Sequence, residues 1–143
     1  MSIKIQTLAG YIHEYQKSIL QPDQFWSRVA ESFHWKKPWQ EVVRWNFQEP
    51  SVEWFVGGKL NITENILDRH LFTRSDHPAI IWEPNDPAES AITLSYLDLY
   101  ERVNELANAL KSEGLEKGDR VIIYMPMIPE AAIAMLACAR VGA

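Results

Sequence analysis

The stretch from Trp54 to His70, WFVGGKLNITENILDRH, sets two glycines and a lysine between aromatic residues and a helix-forming run. Glycine-rich backbone followed by lysine is the composition of a loop that cradles phosphate with its N–H groups. The spacing fails that chemistry. A GxxxxGK[ST] loop needs glycine six residues before its lysine and a hydroxyl residue after it, and Glu53 and Leu60 stand there instead. Trp54-Phe55-Val56 is also short for the central strand that such a loop follows. No GxGxxG fingerprint occurs in the chain. Gly57-Gly58 therefore reads as a tight turn.

The other candidates are weaker. His70 and His77, with Asp68 and Asp76 beside them, carry metal-ligand chemistry but no ligand spacing, so surface or capping roles are expected. His34 has no such company. His13-Glu14 lacks the second histidine of HExxH, and no GxSxG elbow occurs. Cys138 sits in an alanine-rich helix and reads as a buried small hydrophobe. Asn61-Ile62-Thr63 matches a glycosylation sequon, but in a chain without a secretory signal a helix cap is the better reading. The segment FHWKKPW, continuing to Arg44-Trp45, interleaves basic and aromatic residues as single-strand nucleic-acid platforms do. With two adjacent lysines and a net charge of −5, tryptophan anchoring with solvated lysines is favoured. No catalytic, cofactor-binding or metal-binding residue is assigned.

The elements that would position such residues fall into two parts, 1–60 and 61–143. The first is rich in tryptophan, with five of the six before residue 55. Helices are expected from Leu8 to Leu20 and from Pro22 to Phe33, the second opened by a first-turn proline and aspartate. Extended pieces follow at Glu41–Trp45 and Val52–Val56. The tryptophan spacing fits no single period, so this part is expected to wrap another surface. In the second part Asn61 or Thr63 caps a helix to about Phe72. PAIIWE and SAITLS read as strands around a Pro-Asn-Asp-Pro loop. Leu99, Tyr100, Val103, Leu106, Ala107 and Leu110 keep helical spacing from Ser95 until Gly114. GDRVIIYMP, 118–126, is expected to be a buried strand, followed by a helix from Pro129 that stops at Gly142. That order predicts an α/β fold with a mostly parallel, right-handed sheet. A helix of this kind calls for a returning strand, so a fragment ending inside a strand-helix-strand unit is expected.

Composition agrees with an ordinary globular chain: 143 residues, 47% apolar and 23% charged. Its acidity argues against nucleic acid and anionic membranes as partners. One cysteine excludes an internal disulfide. The opening MSIKIQTLAG lacks a signal core, and Val121–Ala139 is broken by Pro126, Pro129 and Glu130, so a cytoplasmic location is expected.

Taken together, WFVGGKLNITENILDRH, HPAIIWEPNDPAES and TLSYLDL through ARVGA resemble the amino-terminal part of the acetyl-coenzyme A synthetases, a family of AMP-forming, adenylate-forming ligases. The resemblance covers nearly the whole chain and is close from Trp54 onward. Thr93–Leu99 and Lys117–Pro126 are similar to motifs shared by adenylate-forming enzymes generally. The Trp-Phe-x-Gly-Gly-x-Leu-Asn run, Leu67-Asp68-Arg69-His70 and the last helix resemble the short-chain acyl branch. Ile66 and Pro84 depart from that pattern, where cysteine and glycine are usual. The resemblance implies a Trp-rich amino-terminal extension, residues 1–60, and the beginning of the large AMP-binding α/β domain, 61–143. It also implies a parent enzyme that joins acetate to coenzyme A through acetyl-adenylate, using ATP and Mg²⁺ and releasing AMP and pyrophosphate. The groups that perform this chemistry lie beyond Ala143 in the family, and Lys59 and Arg69 receive no role from its pattern. The chain alone is thus expected to be inactive, to bind none of these cofactors, and to self-associate through the apolar face of its last helix. A propionyl or other short-chain ligase is the nearest alternative. A stand-alone interaction module, with the tryptophan-rich half as its surface, is the alternative outside enzymes.

Overall fold

Thr7 opens the first helix by accepting a hydrogen bond from the Gly10 N–H at 3.1 Å, and α1 runs Leu8–Leu20. A computed structural model describes residues 4–143, so the opening Met1 to Ile3 of MSIKIQTLAG lies outside the described residues. The chain divides into two compact units, one ending at Leu60 and the other running Asn61–Ala143.

In the first unit, α1 turns its polar side inward. Glu14 pairs with Arg28 of α2 (Pro22–Ala30) and lies 3.6 Å from Lys17, while Leu8, Tyr11, Ile12, Tyr15 and Ile19 stay exposed. The expected continuation of α2 to Phe33 is not made. Ser32 and Phe33 bond three residues back, to Val29 and Ala30, which tightens the last turn, and the Trp35 indole N–H then donates to the Ala30 carbonyl at 2.9 Å. The chain next forms an antiparallel hairpin of β1 (Glu41–Asn46) and β2 (Ser51–Val56), with Arg44 opposite Glu53. Asn46 Oδ1 accepts from the Gln48 N–H in the turn at 2.9 Å. The buried residues of this unit are small or β-branched: Ala30, Val42 and Val56. Ring contacts supply the remaining packing. Trp35, Trp39 and Phe55 meet at centroid distances of 4.9–5.5 Å, and Trp26 meets Trp54 edge-on at 5.9 Å.

The second unit has the firmer core. A π turn, Glu64–Asp68, leads into α3 (Arg69–Arg74), so this helical stretch passes the expected end at Phe72. Antiparallel β3 (Pro78–Trp82) and β4 (Ile92–Ser95) follow, then α4 (Tyr96–Ser112) and α5 (Pro129–Val141). Ser95 and Asp98 form a capping box at the start of α4. At its end Gly114, with φ of +92°, sends its N–H to Lys111 while Leu115 bonds Leu110, a Schellman ending. Leu67, Leu94, Leu99, Val103 and Ile133 make the buried core. A fully buried side chain of this kind contributes roughly 1.5–3 kcal/mol over leaving it exposed.

Two expectations are overturned here. The paired strands among the described residues are all antiparallel, so the α/β class stands but the parallel sheet is not formed. Residues 118–126 are not a buried strand: they pair with no described strand, and Ile122 and Tyr124 are 92% and 99% exposed. A continuous apolar run signals a strand covered on both faces, and no neighbouring strand is available within these residues. Along α5, Ile133, Ala134, Ala137 and Cys138 are buried while Met135 is 64% exposed, and a second run of exposed apolar residues lies in 121–127. No helix of the described residues is long and apolar enough to cross a membrane.

Candidate functional site

Gly57 and Gly58 form a tight turn, and the Gly58 N–H is already taken. Gly57 takes φ of +73°, and Gly58 closes the turn by donating its N–H to the Phe55 carbonyl at 2.8 Å. A Cβ on Gly58 would stand 2.7 Å from Trp35 Cζ3 and 2.9 Å from the Phe55 oxygen. The glycine is required because an indole ring occupies the space a side chain would need. Phe55 itself has φ of +51°, left-handed for an aromatic residue, and is held there among Trp35, Trp39 and Trp54. Lys59 enters an isolated antiparallel bridge with Lys37: its N–H donates to Lys37 O at 2.8 Å, and its carbonyl accepts from Lys36 and Lys37. The would-be phosphate loop and the would-be nucleic-acid platform are therefore the two sides of one backbone clasp.

The remainder of the stretch, Asn61 to His70, is tied to the far end of its own unit. Asn61 Oδ1 accepts from the Thr63 N–H at 3.0 Å and from Thr63 Oγ1 at 2.7 Å, so Asn61 is the cap and Thr63 the capped residue. The Asn61 amide donates to the carbonyl of Arg140, in the last turn of α5, at 3.0 Å. The Arg140 guanidinium grips Asp68 with both nitrogens, at 2.6 and 3.1 Å, and lies 5.3 Å from the Tyr100 ring centroid. Asn65, nearly fully buried, donates to Asn61 O and accepts from Arg69 Nη1 at 3.2 Å. The π turn carries Asp68 to the arginine, and a planar fork opposite a carboxylate fixes the orientation of both.

The histidine pair comes to nothing as a metal site. Asp68 is occupied by Arg140, and the His70 ring packs on Tyr96 at 5.5 Å. His77 serves through its backbone, accepting from the Tyr96 N–H at 3.0 Å. Among the described residues no three His, Cys, Asp or Glu side chains gather as metal ligands do. Cys138 is a free, buried thiol.

Two arrangements escaped the sequence reading. The Asp68–Arg140 link joins residues 72 apart and leaves no local signal. The capping box did leave one, Ser-x-x-Asp at the start of an apolar run. There the Ser95 hydroxyl and then its N–H, with Arg102 adding a weaker pull, hold the Asp98 carboxyl below its usual value despite the opposing effect of burial. At Glu14 burial acts upward, but the Arg28 hydrogen bond and charge, joined by Lys17 and His13, leave it lowered.

Comparison with known proteins gives these features a setting. The family model for the acetyl-coenzyme A synthetase N-terminus matches residues 11–66, and that for AMP-binding enzyme matches residues 67–143. The chain is 53% identical over 134 residues to an acetyl-coenzyme A synthetase of Saccharophagus degradans, covering 93% of this chain and 21% of that protein. It is 52% identical, with the same coverage, to acetyl-coenzyme A synthetase 2 of Pseudomonas aeruginosa. Among solved structures, acetoacetyl-CoA synthetase from Streptomyces lividans is similar at a TM-score of 0.82 and 32% identity, over 98% of this chain and 21% of that one. The chain thus spans about a fifth (21%) of the length of the curated relatives it matches.

Proposed function

This chain belongs to the AMP-binding enzyme family, and from that premise we propose that it forms the amino-terminal part of an AMP-forming acetate-coenzyme A ligase. The order of the two family matches carries the reading: a synthetase-type amino terminus over 11–66 runs directly into an AMP-binding segment at 67. The parent enzyme converts acetate and ATP to acetyl-adenylate and pyrophosphate, and the coenzyme A thiol then displaces AMP. In this reading acetate, ATP and coenzyme A are the substrates, Mg²⁺ accompanies the nucleotide, and the enzyme works in the cytoplasm without nucleic acid or membrane.

Neither the Gly57-Gly58 turn nor Asp68 fits the nucleotide or the metal. Trp35 fills the space beside Gly58, and Asp68 is committed to Arg140. In this reading the chain carries no catalytic, cofactor-binding or metal-binding residue, and Trp35 beside Gly58 and the Asp68–Arg140 pair serve structure. Its contribution is scaffolding: the Asn61–Asp68–Arg140 network fixes the entry of the second unit against the end of α5.

The test joins residues 1–143 to the remainder of the Saccharophagus degradans enzyme and measures acetate-dependent exchange of labelled pyrophosphate into ATP. Exchange by the hybrid and none by the 143-residue chain is the expected result. A hybrid that folds, as judged by circular dichroism, yet shows no exchange with any short-chain acid would overturn the reading in favour of a stand-alone interaction module. The likeness to an acetoacetyl-CoA synthetase favours one second reading, a ligase for propionate or another short-chain acid. A panel of acids in the same assay decides it.

A further inference from the structure

We draw no further inference here: the strongest candidate, the apolar groove on the β1–β2 hairpin lined by Val43, Trp45, Phe47, Pro50, Val52 and Trp54, lies open in a chain that spans 21% of its relatives' length, and nothing in the structure shows what covers it.

Discussion

At the scale of single residues, glycines and charges here act through what stands beside them. Gly58 is glycine because Trp35 occupies its side-chain space, so Gly58→Ala forces the ring or the turn to move. The expected cost to the first unit is about 1–3 kcal/mol, read from tryptophan fluorescence during urea unfolding; a change below a few tenths would mean that the indole yields freely. Asp68→Asn keeps the shape but removes the charge facing Arg140, whose side chain is only 17% exposed. A loss of about 1–3 kcal/mol in the second unit is expected, and a double-mutant cycle with Arg140→Met should assign most of it to the pair. Asp98 supplies the pH dependence. Its folded carboxyl titrates below the ordinary 3.8, so the stability it adds is complete above that value and is lost as pH falls through the folded value. Asp98→Asn should therefore trail the native chain by a constant amount near neutrality and converge with it only in strong acid. A gap that widens on acidification would contradict the assignment. None of the partners across the chain could be read beforehand, since Trp35 and Gly58 or Asp68 and Arg140 carry no mark of one another. Ser95 and Asp98, three apart, did carry such a mark.

At the scale of elements, legibility followed the range of the interactions that make each one. Helices α1, α4 and α5 end where Thr7, Ser95, Gly114, Pro129 and Gly142 place them, because caps and 3.6-residue spacing are local. The end of α2 was misplaced because an indole five residues on takes the Ala30 carbonyl. The run 118–126 was misread for a deeper reason: apolar strand composition describes the partners a strand needs and is blind to whether they are there. Helix α4 shows what local coding achieves once packing joins it. Leu99 and Val103 face β4 and α5 in the one buried cluster of this unit. Leu99→Ala should cost about 2–5 kcal/mol, more than any cap in the chain, whereas Ser95→Ala should cost about 1 kcal/mol. Far-UV circular dichroism in urea ranks the two, and a reversed order would mean that α4 is held by its ends and not by its face.

At the scale of the whole molecule, the two units are built on different principles and should not share a stability. The first buries only Ala30, Val42 and Val56 among its described apolar residues and relies on ring contacts and on the Glu14–Arg28 pair. The second buries Leu67, Leu94, Leu99, Val103 and Ile133 in one cluster, with Val103 and Leu67 at 0% exposure. Area removed from water dominates folding energetics, so the first unit is expected to unfold at the lower urea concentration. The chain reports on each separately. Five of its six tryptophans lie in the first unit, so fluorescence follows that unit, while α4 and α5 supply most of the second unit's helical signal in circular dichroism. Fluorescence should change first and circular dichroism second, with Gly58→Ala moving only the former and Leu99→Ala mainly the latter. Coincident transitions, shifted together by either substitution, would mean that the units fold as one cooperative body. The extension would then take its stability from the AMP-binding segment and not from its own aromatic packing.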